Sequence, residues 1–232
     1  MSGKRRVRAE AAVCAALKGV AAVYLFARGA RLGPGHAQEE MSWAIAITEK
    51  VNQISETKVS LWTTFMSPGI NTLFWTTFVE DLATLEAAYD KFMTDSGYLM
   101  LLEQGARYVS ADPINDVLMQ VVHADGIDVD KQPAYIAEVA ATVASGNAVR
   151  GLELGVEIAV AAKKLTNAPT SFSVASTGAY GAVAWHTAFE SITELQRGQE
   201  ALMDATFLDL IDKKAKDVYQ PAATQAIYRR IM

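Results

Sequence analysis

Period-two alternation of apolar and polar positions, and apolar runs at helical spacing, divide the chain from Met41 onward into two similar series of elements. Leu152, Leu154, Val156 and Ile158 alternate with Glu153, Gly155 and Glu157, and Trp43–Thr48 alternates likewise, so each series is predicted to open on a strand. A short helical or turning stretch follows in each (Glu49–Thr57; Ala159–Asn167), then apolar runs at Val59–Met66 and Thr170–Ser176. Ser67-Pro68-Gly69 and Thr177-Gly178 carry turn chemistry and lead into Thr72–Val79 and Ala182–Phe189, a hairpin in each series. Leu82, Leu85, Ala88, Tyr89 and Phe92 then recur at helical spacing behind the capping residue Asp81, as do Ile192, Leu195 and Leu202 behind Ser191. A second helical piece covers Tyr98–Arg107 and Phe207–Lys216. Asp112-Pro113 and Gln220-Pro221 end it, and each series closes on a strand, Asp116–Val122 and Thr224–Ile231.

The two series are copies in sequence as well as in order. Trp75 aligns with Trp185, Thr77 with Thr187, Glu80 with Glu190, Leu85 with Leu195 and Met93 with Met203. After a single-residue gap, Leu99 aligns with Leu208, Leu101 with Leu210, Ala106 with Ala215 and Val109 with Val218. Self-similarity held in register over such a length marks a repeated structural unit. The predicted organisation is an N-terminal extension (1–40), a first repeat (41–123), a linker with a helix at Tyr135–Ala144 (124–149) and a second repeat (150–232). Strand, helix, strand, strand, helix, strand is the ferredoxin-like split order. A four-stranded sheet with both helices on one face leaves its other face bare, and here the second copy supplies the cover. The expected fold class is therefore α+β, two tandem ferredoxin-like repeats packed sheet to sheet.

The segments NTLFWTTFVEDLATLEAAYDKFM and GAVAWHTAFESITELQRGQEALM, with GYLMLLEQGARY behind the first, resemble the dimeric α+β barrel superfamily. Within it they resemble tandem members such as NIPSNAP-like proteins and chlorite dismutase-like haem proteins, over residues 41–232. The resemblance implies a closed barrel and further association into homo-oligomers. The superfamily includes cofactor-free monooxygenases, haem-handling enzymes, isomerases and binding proteins, so activity does not follow from the architecture. In the chlorite dismutase-like branch a histidine ligates haem iron, a role the resemblance would pass to His186. The haem-degrading branch carries its Trp and His on helices, whereas Trp43, Trp62, Trp75 and Trp185 all fall on predicted strands, a departure that speaks against haem degradation.

Composition narrows the field. Half of the 232 residues are apolar (51%), enough for a real core, and a net charge of −5 lacks the basic footprint of a nucleic-acid binder. Cys14 is the only cysteine, so there is no internal disulfide and no thiolate pair for structural zinc, which fits a reducing, cytoplasmic setting. The basic start with Arg5 and Arg6 invites a targeting reading, but Lys18 interrupts the apolar stretch, and Ala22–Phe26 is too short for a membrane span of about 20 residues. Residues 1–40 are expected to pack loosely, with no transmembrane segment. Asp125, Asp128 and Asp130 lack the spacing of an EF-hand loop and read as a solvated linker, so no metal site is expected. No phosphate loop, nucleophile elbow or zinc pattern is present.

His186, beside Trp185 on a strand expected to line the barrel, is the candidate catalytic residue, as a general base. Adjacent strand residues point to opposite faces, and Trp185 is expected to be the inward one, which would make His186 a satisfied or solvent-facing side chain. Thr76 occupies the equivalent position in the first copy, so any site is asymmetric. Trp62, Trp75, Phe172 and Trp185, with Phe65 and Phe74, are candidate ligand contacts in an apolar cavity, or simply core. Glu153 and Glu157 share one face of their predicted strand, as an acid/base pair or a charged outer surface. Three functions are consistent with these residues. They are a cofactor-free monooxygenase acting on a hydrophobic small molecule, a non-catalytic binding or assembly protein with a filled barrel, and a haem-binding protein.

Overall fold

The computed structural model describes residues 23–55, 57–110, 114–128 and 131–232. Arg5, Arg6, Cys14, Lys18, the Asp112-Pro113 break and Asp130 lie outside the described residues. The first half runs β1 (Val23–Arg31), α1 (Ala37–Ile54), β2 (Ser60–Thr64), β3 (Thr72–Val79), α2 (Leu82–Thr94), α3 (Ser96–Gly105) and β4 (Asn115–Asp125). The second repeats that order as β5 (Tyr135–Thr142), α4 (Ala148–Thr166), β6 (Thr170–Ala175), β7 (Ala182–Phe189), α5 (Ile192–Ala201), α6 (Ala205–Lys214) and β8 (Thr224–Arg230).

The opening elements differ from the sequence-based expectation. Trp43–Thr48 is the middle of helix α1, whose buried residues Glu40, Trp43, Ala44, Ile47 and Thr48 keep a helical period. Leu152–Ile158 lies in α4, where Gly151, Leu154, Gly155, Ile158, Ala159 and Ala162 form the buried stripe. The apparent alternation came from Leu152 and Val156, which flank that stripe and are half-buried. A window of seven residues cannot separate period two from period 3.6 when the flanks are also apolar. The strand expected there is supplied by β1, inside the stretch read as an extension, and by β5, in the segment read as a linker helix. Each strand-helix-strand-strand-helix-strand set therefore starts earlier than the expected limits at Met41 and Arg150, at Val23 and Tyr135.

All pairings are antiparallel, and the strands close into a barrel in the order β1-β3-β2-β8-β5-β7-β6-β4. The halves join along β2–β8, where Trp62 faces Arg230 and Thr64 faces Tyr228, and along β4–β6, where Met119 faces Ala175. Closure removes every exposed sheet edge. In the hairpin tips Gly69 and Gly178 take positive φ, which the tight reversal requires.

The helices cover the outside. Trp43, Ala44 and Ile47 of α1 pack with Leu61, Leu73, Tyr98 and Tyr108, and Leu154, Ile158 and Ala159 of α4 pack with Phe172, Val183, Trp185, Val218 and Tyr219. Equivalent indoles tie sheet to helix in each half: Trp75 Nε1 donates to Thr48 Oγ1 and Trp185 Nε1 to the Gly155 carbonyl, both at 2.8 Å. Asp81 and Ser191 cap α2 and α5, accepting from the backbone N–H of Thr84 and Glu194. Among the described residues no helix is long and apolar enough to cross a membrane.

Candidate functional site

The two outer clusters fix which face of each strand looks inward. Val183 and Trp185 of β7 belong to the helix-facing core, so Ala184 and His186 project into the barrel. This reverses the expected orientation: Trp185 is the outward residue and His186 the inward one. Trp75 and Phe172 likewise pack under the helices, whereas Trp62 and Phe74 point inside. Of the sequence candidates, His186, Trp62 and Phe74 thus face the barrel interior, and Trp75, Phe172 and Trp185 lie on the other side of the sheets. Glu153 and Glu157 sit on α4 rather than on a strand, and Glu157 accepts from Lys214 Nζ at 2.5 Å. Trp43, being on α1, is a helical tryptophan, and its Nε1 donates to the Leu101 carbonyl at 2.7 Å.

Inside, two residues not singled out by the sequence complete a cluster. Glu138 of β5 faces His186 across the β5–β7 ladder, with Nε2 and Oε2 3.0 Å apart. Tyr228 of β8 donates its hydroxyl to the other carboxylate oxygen, Oε1, also at 3.0 Å. Burial pushes the Glu138 carboxyl up, but the hydrogen bond and attraction to His186 and the Tyr228 bond outweigh it and hold the group below the usual carboxylate range. Burial and the neighbouring carboxylate push the Tyr228 hydroxyl far above an ordinary phenol. An ionised carboxylate only accepts, so the network assigns the imidazole proton to Nε2–H and leaves Nδ1 as the free ring nitrogen. Nδ1 is buried and has no hydrogen-bond partner among the described residues. Orphaned buried polar atoms cost about 1–3 kcal/mol each and call for a reason.

Space remains beside the cluster. The Glu138 and His186 side chains keep 23% and 14% of their exposure while pointing into a closed barrel, so water-sized room reaches both. Inward-facing Phe78, at the end of β3, is 39% exposed and marks an open end. The aromatic side of the interior is built by Trp62, whose Nε1 donates to Thr76 Oγ1 at 2.8 Å, and by Phe74, which lies edge-on to Tyr228 at 5.0 Å.

The halves share one register but not one lining. Ala27 faces Thr76 where Glu138 faces His186, and Leu25 faces Met119 where Ile136 faces Tyr228. Trp62 faces Phe74 where Ser173 faces Ala184. Apolar bulk in the first half is matched by polar groups and small side chains in the second. Ser173 is fully buried, and neither its Oγ nor the buried His123 Nε2, at the irregularity where β4 meets β6, has a hydrogen-bond partner among the described residues.

Haem does not fit His186 in this arrangement. Its Nε2 is already bonded to Glu138, Nδ1 is buried, and the Phe74 and Tyr228 rings lie edge-on to each other inside the barrel, taking up room a macrocycle would need. Among the described residues no group of three or more His, Cys, Asp or Glu is placed to hold a metal ion. On the outside, an open groove of about 350 Å³ between α1 and α3 is lined by Glu39, Trp43, Gln104 and Tyr108 among others. There the Tyr108 hydroxyl donates to Glu39 Oε2 at 3.4 Å and His36 Nδ1 lies 3.8 Å from the same oxygen, but the His36 and Glu39 side chains are largely exposed.

Closed barrel, duplicated order and outer helices together are the dimeric α+β barrel fold. Solved structures with this arrangement include a proposed monooxygenase from Fusobacterium nucleatum, 9% identical over 91% of this chain and 94% of that chain, with a TM-score of 0.69. A proposed monooxygenase from Lactobacillus acidophilus is 6% identical over 90% and 94%, with a TM-score of 0.63. An anthrone oxidase-like protein is 11% identical over 92% and 93%, with a TM-score of 0.60. Identities this low show a common fold and nothing finer. No protein-family model and no curated protein matches the chain.

Proposed function

We propose that the barrel is a small-molecule enzyme of the monooxygenase type, in which His186, held by Glu138, takes a proton from a hydrophobic substrate that then reacts with dioxygen. The observation that carries this reading is the dyad: a carboxylate fixes one ring nitrogen and leaves the other free inside a partly open, aromatic-walled barrel. That is the arrangement a general base needs, with the orienting group on the far side of the ring from the proton to be removed. The fold shared with two proposed monooxygenases and an anthrone oxidase-like protein supports the choice of reaction class.

An activated CH2 suits such a base. Deprotonation yields a carbanion or enolate that dioxygen attacks. One oxygen atom becomes the product carbonyl and the other leaves as water with the two substrate hydrogens, so no external reductant is consumed. Anthrone is a suitable probe, its CH2 becoming the second carbonyl of anthraquinone. Oxygen uptake with anthrone should exceed the uncatalysed rate in the wild type and fall about a hundredfold or more in His186→Ala, the usual contribution of a positioned base. Uptake at the background rate in the wild type, or unchanged in a folded His186→Ala protein, would refute the reading and favour a filled, non-catalytic barrel.

A further inference from the structure

Two buried polar atoms of the interior, His186 Nδ1 and Ser173 Oγ, lie on neighbouring strands with no hydrogen-bond partner among the described residues. Ser171 faces His186 and Ser173 faces Ala184, so Ser173 is the diagonal neighbour of His186 on the same inner face. Diagonal pairs of this kind are within reach of a single bridging group. In the first half Thr76 stands where His186 does, and Trp62 and Phe74, two large rings, stand where Ser173 and Ala184 do. In the second half the same positions are a hydroxyl and a methyl.

The geometry points to a ligand subsite in the second half of the barrel, where a hydroxyl group of a flat, otherwise apolar molecule is held between His186 Nδ1 and Ser173 Oγ, with its ring over Ala184. The subsite deepens the enzymatic reading above and rests on it: the enol form of the substrate presents its hydroxyl there, and loss of that proton to Nδ1 gives the same anion as loss of the CH2 proton. A hydroxyl satisfies the pair in either charge state of the imidazole, donating to a bare Nδ1 or accepting from Nδ1–H, while Ser173 donates or accepts to match. A group that can only accept, such as an isolated ketone or ester, serves one state only. Ser173 is sealed in the present conformation, so entry has to open space beside it. Met119, inward-facing on β4 and diagonal to Ser173 across the β4–β6 ladder, is the unbranched, flexible side chain that can give way.

The test compares 1-naphthol with naphthalene, which differ by one hydroxyl, by isothermal titration against the wild type and Ser173→Ala. The expected result is tighter binding of 1-naphthol to the wild type by about tenfold or more, with the preference cut severalfold in Ser173→Ala, which keeps only the Nδ1 partner. Removing an unpartnered buried hydroxyl leaves the melting temperature of the variant unchanged or higher, which separates a ligand role from a structural one. Equal binding of the two probes, binding of neither, or a preference undiminished in Ser173→Ala overturns the subsite. Anthrone turnover reports separately: a His186-dependent rate without the 1-naphthol preference sinks the subsite alone, and the preference without turnover sinks the enzymatic reading alone.

Discussion

Gly155→Ala tests how tightly the second sheet is clamped to its helix. A methyl at Gly155 would stand 2.5 Å from both Cε atoms of Phe172, a separation that real Cβ atoms do not tolerate. The ring has nowhere to retreat. Phe172 is fully buried and lies 5.1 Å from the Trp185 ring, and Trp185 is pinned by its 2.8 Å hydrogen bond to the carbonyl of Gly155 itself. Overpacking a well-filled core costs about 1–3 kcal/mol, and a site without slack belongs at the upper end. Alanine recovers about 1 kcal/mol over glycine through helix propensity, leaving a net loss of about 2 kcal/mol. For a chain of this size that is a fall of about 4–8 °C in melting temperature. Calorimetry supported by urea midpoints would measure it. Phe172→Leu should relieve the strain, so the double variant is expected to be more stable than the sum of the single losses by about 1 kcal/mol or more. A Gly155→Ala protein as stable as the wild type, or strictly additive losses, would refute the packing argument. The consequence reaches the interior, because Phe172 is flanked on β6 by Ser171 and Ser173, which face inward when it faces out.

Glu138→Gln should flatten the acid limb of the stability curve. A carboxyl held below its ordinary value stabilises the fold above about pH 4.5 and loses that contribution as pH falls through the folded value, so urea midpoints from pH 7 to 3 should drop less steeply in the variant. Asp81 and Asp95, also held below the usual range, act equally in both proteins, and parallel curves would dismiss the Glu138 contribution. Asp116→Ala is expected to cost no more than about 1 kcal/mol. Its two 2.7 Å bonds to Arg28 are well aligned, but both side chains are about a third or more exposed. A loss above about 2 kcal/mol by urea denaturation would show that the pair is sheltered from solvent.

What could be read from the sequence was governed by how much each segment's pattern owes to one neighbour. The hairpins and following helices were legible because β3 and β7 carry aligned tryptophans, turn residues and a capping Asp81 or Ser191, all local signals. α1 and α4 were not, since their buried stripes are flanked by apolar residues that dock on a wide sheet and blur the period. β5 was misread because its inward face alternates Ile136, Glu138 and Ala140 against outward Ala137, Val139 and Ala141, a contrast in size rather than polarity. That error hid Glu138. With β5 taken as a helix, nothing placed a carboxylate opposite His186, and the histidine was assigned the outward face. Tyr228 was hidden for a related reason: its role depends on β8 lying beside β5, a long-range pairing.

Duplication explains why the site can exist at all. A symmetric barrel with Trp62, Phe74 and Met119 in both halves would fill its middle with side chains, and one with Glu138, His186 and Tyr228 in both would enclose a second carboxylate and carry a second cost of burying charge. In a single chain the two copies are free to diverge. One half supplies the apolar wall and the Trp62–Thr76 bond, and the other supplies the acid, the base and the small residues. Inside the barrel Phe74 of one half packs edge-on against Tyr228 of the other, so the residue that anchors the Glu138 carboxylate is itself positioned by the opposite half. Neither half contains the complete arrangement.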